Sequence, residues 1–220
     1  YSNVSNTGSV SGNNYVGGLF GRLYAKQYTE GYTLKLATLT NSGKVTGNGN
    51  YVGGIFGELY QEDTHYSAYV NATDLTNTGD VCGTYYVGGL FGRFYTNGQS
   101  TLKNATINAD ITSEARVGAI AGDAENMTIT SATNEGSTVK ANGYQLDGTN
   151  KNAYLGGYIG YCGGNITMSN AINHVTIDYR SEGRFVGGFF GYVNGGSLTD
   201  LHNTKPISSM ADFVGGIYGY

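Results

Sequence analysis

The chain has 220 residues, room for one or two ordinary domains or for one array of repeats. It holds 37 glycines, 20 tyrosines, one proline (Pro206) and no tryptophan; charged residues are 13%, below the usual quarter, and the net charge is −4. Such a chain is poor in helix formers, and its negative charge argues against a nucleic-acid backbone as partner, whereas 39% hydrophobic residues supply a core and argue against disorder.

In chain order, one unit recurs. Asn6-Thr7-Gly8-Ser9-Val10 leads to VGGLFG at Val16–Gly21. The apolar positions Leu34, Leu36 and Leu39 lead to Asn41, Gly43 and Val45 and then VGGIFG at Val52–Gly57. Asn77, Gly79 and Val81 precede VGGLFG at Val87–Gly92. Leu102, Ala105 and Ile107, with a looser Asn108…Ile111, precede VGAIAG at Val117–Gly122. Met127, Ile129 and Ala132, with Asn134…Val139, precede LGGYIG at Leu155–Gly160. Ile166, Met168 and Ala171, with Asn173…Ile177, precede VGGFFG at Val186–Gly191, and Asn203…Ile207 precedes VGGIYG at Val214–Gly219. The cores start at 16, 52, 87, 117, 155, 186 and 214, in steps of 36, 35, 30, 38, 31 and 28 residues. A nucleotide loop occurs once per site, no GxxxxGK[ST] or GxGxxG is present, and seven copies mark stacked structural units.

Each unit reads as a strand, an Asn-Gly turn, a short strand at the Val10-type position and a strand around the VGG core, with no helical period. Three short strands per unit predict an all-β fold, a parallel β-solenoid (β-helix) of about seven coils of 28–38 residues, right-handed by default and roughly 34 Å long at about 4.8 Å per coil. The alternative is an array of propeller blades, for which units of this length are slightly short. The paired glycines are expected at a corner or bulge, through positive φ and close backbone approach. Whether the Phe20-type residues face in or out is open, because Gly17-Gly18 breaks strand parity. Both termini fall within repeats and there is no initiator Met, so residues 1–220 read as a single repeat-array domain cut from a longer chain. The ends of such a rod expose unpaired strands, and end-to-end self-association is expected there.

The combination Asn-x-Gly-x-Val-x-Gly followed by Tyr-Val-Gly-Gly-Leu-Phe-Gly resembles the GLUG repeat of bacterial secreted and surface proteins, which include adhesin-like proteins and IgA1-type metallopeptidases. Ser5–Gly21, Asn41–Gly57 and Asn77–Gly92 carry it most clearly; Ala119, Ala121 and Leu155 depart from it. The resemblance implies an extracellular bacterial solenoid, secreted or attached to the cell surface. It transfers no catalytic residue.

No HExxH occurs among the three histidines His65, His174 and His202, no calcium β-roll motif is present, and Glu62-Asp63 is an isolated carboxylate pair. Catalytic, cofactor-binding and metal sites are therefore not expected. GxxxG at Gly17–Gly21 lacks the apolar length of a membrane span, and membrane insertion is not expected. The insertions at Tyr24–Tyr32 and Tyr60–Tyr69 follow the glycine core at one register. They make Tyr24, Tyr28, Tyr32, Tyr60, Tyr66 and Tyr69 the candidate surface for a glycan or for a host or bacterial surface protein, against the plainer reading that they cover the solenoid flank. A third insertion, Asn142–Asn152, reads as a solvent loop. The function expected is a structural or interaction segment, a stalk or adhesive surface. Alternatives are a non-catalytic accessory region of a large surface metallopeptidase and, less favoured, a β-helix polysaccharide-degrading enzyme.

Three rows follow from the register. Val10, Val45, Val81, Ile111, Val139, Ile177 and Ile207 should form one buried stack. Cys82 should point out and Cys162 in, too far apart for a disulfide. Arg22, Glu58, Arg93, Asp123, Tyr161, Tyr192 and Tyr220 should form an exposed ladder, first ionic with alternating sign, then aromatic.

Overall fold

The second unit illustrates the coil. In the computed structural model, Thr33–Asn41, Val45–Gly47, Val52–Gly53 and Phe56–Tyr60 are strands, each pairing in parallel with its counterpart one unit later. The structure describes residues 1–25, 32–61, 67–136, 138–142, 153–179 and 184–220. Repeated over the chain, this gives a parallel β-solenoid whose strands fall into three sheets. One sheet stacks the Val10-type strands and a second stacks the VGG strands, each seven strands deep. The third holds both remaining segments of each coil, which fuse into the continuous strands Ile159–Asn173 and Phe190–Asn203. Part of the Asn142–Asn152 insertion lies outside the described residues, as do Glu30, Glu62, Asp63 and His65.

The valine stack forms as expected. Val10, Val45, Val81, Ile111, Val139, Ile177 and Ile207 pair in one unbroken register, buried in the five inner coils and half-buried at the ends. The Leu19-type and Phe20-type residues both turn inward: Ile55, Phe56, Leu90, Phe91, Phe189 and Phe190 have no solvent exposure. Phe20, Phe56 and Phe91 stack with centroids 4.9 and 5.3 Å apart.

Glycine at the core answers to close approach, and the expected positive φ is absent there. A Cβ on Gly17 would lie 2.0 Å from the carbonyl oxygen of Phe20, and on Gly53 2.0 Å from that of Phe56. Among the described glycines only Gly196 has positive φ. The corner lies elsewhere. Asn3, Thr38, Asp74, Asn104, Ser131, Asn170 and Asp200 share one register row, and all have φ between 51 and 58°. This left-handed residue bends each upstream strand in its middle, a conformation that Asn and Asp tolerate better than other side chains. It also explains the spacing Leu34, Leu36, Leu39: one residue is inserted into the alternation where the chain turns.

The unit asparagines are not turn residues with left-handed backbone. They point into the rod and form an amide ladder. Asn6 Nδ2 donates to Asn41 Oδ1 (2.9 Å), Asn41 to Asn77 (2.8 Å), Asn134 to Asn173 (3.1 Å) and Asn173 to Asn203 (2.9 Å). Each of Asn6, Asn41 and Asn77 also donates to the glycine carbonyl two residues on. In the fourth coil the register residue is Ile107, not Asn108. Ile107 has no amide to donate, and Asn134 Oδ1 is left buried without a partner. Such an orphan acceptor costs about 1–3 kcal/mol.

Both cysteines are free thiols, Cys82 exposed opposite Thr46 and Thr112, Cys162 buried opposite Ala124 and Val193. Burial pushes the Cys162 thiol up to about 12. In native protein at neutral pH, a thiol reagent should therefore label Cys82 alone, and both residues after denaturation. Fast native labelling of Cys162 would contradict the register. Val81→Ala should destabilise the rod by about 1–3 kcal/mol in urea unfolding, through lost burial and a cavity.

Candidate interaction face

Three outward rows run side by side along the coils. The first holds the residue before each VGG core: Tyr15, Tyr51, Tyr86, Arg116, Tyr154, Phe185 and Phe213. The second is the row after the core, Arg22, Glu58, Arg93, Asp123, Tyr161, Tyr192 and Tyr220. The third holds Tyr24, Tyr60 and Tyr95. Parallel pairing sets successive rungs one strand spacing apart, so flat side chains of one row must stack. They do: Tyr15, Tyr51 and Tyr86 have centroids 5.2 and 4.8 Å apart, and Tyr161, Tyr192 and Tyr220 are 4.9 and 5.5 Å apart.

The ionic half of the second row is in register, but only Arg22 is exposed; Arg93 is half-buried and both carboxylates are buried. Glu58 lies between Arg22 and Arg93 as expected: Arg22 Nε is 2.5 Å from Glu58 Oε2, and Arg93 Nη1 donates to Oε1 at 3.3 Å. Yet Glu58 is only 1% exposed, with the two guanidiniums partly exposed over it. Arg22 meets Oε2 as a charge contact rather than an aligned hydrogen bond, since that oxygen has no hydrogen-bond donor. Asp123, also buried, pairs with Arg116 of the first row, not with Arg93. The arginines pack between phenol rings. The Arg22 guanidinium carbon is 4.7 Å from the Tyr15 ring centre and 4.4 Å from that of Tyr24. Arg93 is 5.2 Å from both Tyr60 and Tyr95, and Arg116 is 4.1 Å from Tyr161 and 5.0 Å from Tyr86. Cation–π contacts of this kind add about 0.5–2 kcal/mol each as they are desolvated. The sandwich leaves Arg116 Nε buried with no hydrogen bond.

Burial also raises the phenols. Tyr51 and Tyr161 shift up, and Tyr86 reaches about 12. The rings of these rows cover one another's faces, so over most of their length they present edges and neutral hydroxyls, a comb of donors and acceptors.

Of the expected tyrosine cluster, Tyr28 and Tyr66 lie outside the described residues. Tyr24 and Tyr60 are neighbours in the third row, and Tyr60 stacks on Tyr95 at 5.3 Å. Tyr24 and Tyr32 line one cleft near the N-terminal end, with Tyr1 and Lys35. Tyr69 pairs with Thr33, next to Tyr32. The first row escaped the sequence reading. Its signal is the aromatic or arginine immediately before every VGG-type core: Tyr15, Tyr51, Tyr86, Arg116, Tyr154, Phe185 and Phe213.

Among the described residues no group of three or more His, Cys, Asp or Glu side chains could hold a metal ion, and no helix is long and apolar enough to cross a membrane. Comparison with family models, curated proteins and solved structures finds no match for the chain.

Burial pushes the Asp123 carboxyl above its ordinary value, more than Arg116 and Arg93 pull it down. The folded state thus holds its proton more tightly than the unfolded chain does. The cost of the ionised form is present above the folded pKa and is relieved as pH falls toward the ordinary carboxylate value. Relative to Asp123→Asn, the wild type should therefore gain stability between neutral pH and about pH 4. Parallel urea titrations of the two proteins across that range check the sign.

Proposed function

We propose that the chain is a structural and interaction segment of an extracellular bacterial protein, secreted or surface-attached, acting as a stalk with an adhesive flank. The observation that carries this reading is the three-row face of tyrosine and arginine, which runs along the rod rather than converging on one point. Chemistry needs a few groups aimed at one reacting atom. Here, three arginines and two carboxylates bind one another and the surrounding rings. Tyrosine and arginine are the residues that dominate recognition surfaces, because each combines an apolar face with directional hydrogen bonds. The motif resemblance to GLUG repeats supports the location, and a glycan or a surface protein is the partner class that suits such a comb of hydroxyls.

On intact cells that express the parent protein, external protease should remove this segment and leave cytosolic markers untouched. Fluorescently labelled 220-residue chain should bind a subset of an immobilised glycan and surface-protein panel. A parent protein confined to the cytosol would overturn the location, and a chain silent on the whole panel would overturn the adhesive role.

A further inference from the structure

The outward side of the third sheet carries a second pattern, separate from the tyrosine face. From the fourth coil to the seventh, the strand before each corner reads Thr101-Leu102-Lys103, Thr128-Ile129-Thr130, Thr167-Met168-Ser169 and Ser197-Leu198-Thr199. Over these residues the strands pair without a register shift, so two rows form. One is Thr101, Thr128, Thr167 and Ser197; the other is Lys103, Thr130, Ser169 and Thr199. Leu102, Ile129 and Met168 between them are buried, whereas Thr101, Thr167 and Thr199 are exposed and Thr128, Thr130 and Ser169 half-buried. Thr128 and Thr167 have paired strands on both sides, so they open onto the flank of the rod, not onto an end.

Two features set these rows apart. Their hydroxyls are open: Thr130, Thr167, Ser169, Ser197 and Thr199 make no side-chain hydrogen bond with a described residue, whereas Thr84, Thr96 and Thr204 bond to backbone carbonyls. Each open hydroxyl keeps one donor and two acceptor positions for solvent. The rows are also uncharged except at Lys103. The outward row of the Val10-type sheet, by contrast, holds Cys82, Lys140 and Asp178 among its hydroxyls. Strand propensity alone would favour threonine in both places alike. Spacing then selects the occupant. Successive rungs lie about 4.8 Å apart and alternate residues of one strand about 6.7 Å apart. Tetrahedral water with O···O distances of about 2.75 Å places second neighbours about 4.5 Å apart, and in hexagonal ice sets an axial repeat of about 7.3 Å in the same plane. The misfit along the rod is about 0.3 Å per rung, or about 1 Å over the four rungs, less than half a repeat. Across the rows it is about 0.6 Å, within the swing of a hydroxyl about its Cα–Cβ bond. Paired backbone and the stiff χ1 of threonine hold such an array in place before water arrives, so little side-chain freedom is lost on binding.

We propose that this flank is an ice-binding surface, on which the two hydroxyl rows anchor water in the positions of an ice face. Ice is an uncharged network of donors and acceptors, and hydroxyls that are both donor and acceptor complete it where a charged side chain would not. Lys103 is the fault in the array, breaking the second row between the third coil and the fifth. The inference goes beyond the adhesive reading and does not rest on it, since it uses none of the residues of the tyrosine face.

The test uses the 220-residue chain and polycrystalline ice grown slowly from its dilute solution, with a globular protein of similar size as control and microcrystalline cellulose as a second solid. The chain should be enriched in the ice fraction, from which the control is excluded, and should slow the recrystallisation of annealed ice. Thr167→Lys, at an exposed position, should bring the enrichment down to the control level with the thermal transition unchanged. Thr112→Lys, on the Val10-type sheet, should leave it intact. Lys103→Thr, which completes the second row, should raise it. The proposal is overturned if the chain is excluded from ice like the control, if Thr167→Lys leaves the enrichment unchanged, or if Thr112→Lys removes it equally. It is likewise overturned if Lys103→Thr fails to raise the enrichment, or if the chain is retained on cellulose instead of ice. Panel binding by the tyrosine face is scored separately, so failure here leaves the adhesive reading standing, and failure there leaves this one.

Discussion

Parallel in-register pairing of coil upon coil is the constraint on which the rest of this molecule depends. It places each residue directly against its counterpart one unit later, at one strand spacing. Whatever a unit puts at a given position must therefore tolerate its own likeness above and below. Valine in the core sheet does so by packing, tyrosine by offset stacking, and asparagine because an amide is both donor and acceptor. A lone carboxylate cannot. Wherever an acid enters the face, a guanidinium lies against it, beside it in the row at Glu58 or across from it at Asp123.

The same constraint makes glycine and asparagine work as a pair. The second glycine of the core lies under the amide of the next coil: a Cβ on Gly18 would come within 2.5 Å of Asn41 Cγ, and on Gly54 within 2.5 Å of Asn77 Cγ. The amide ladder can be buried because the backbone opposite carries no side chain. In the fourth unit both partners differ, Ala119 replacing the second glycine and Ile107 replacing the asparagine. There the next asparagine, Asn134, turns its amide to the carbonyl of Gly157 at 2.6 Å.

The coil count, the valine stack, the opposite placement of the two cysteines and the Arg22–Glu58–Arg93 order were legible in the sequence. All follow from identity of register, which the spacing of the VGG cores displays. What was not legible depends on direction rather than spacing. Asparagine is favoured both in turns and in buried amide ladders, and the letter alone does not distinguish them. Ile107 hid the true register because Asn108 stands next to it. The corner row mixes Asn, Asp, Ser and Thr, so it has no consensus letter; its trace is the three-residue step between Leu36 and Leu39. The ladder was expected in water because charges usually are. The rings flanking Arg22, Arg93 and Arg116 cover it, and that cover comes from the first and third rows, whose regularity was visible only once the strands were aligned.

The break at Ile107 bears on how the rod is held together. An array held by nearest-neighbour interfaces melts according to the strengths of those interfaces. Three asparagines form one continuous run of amide bonds, Asn6 to Asn77, and three form another, Asn134 to Asn203. Between them the coils are joined at this position by an aliphatic side chain facing an unsatisfied oxygen. The amide ladder is thereby divided into two runs with a boundary near the middle of the rod, while the backbone pairing of all three sheets carries on across it, so the coils there are joined by strand pairing and packing alone at this position.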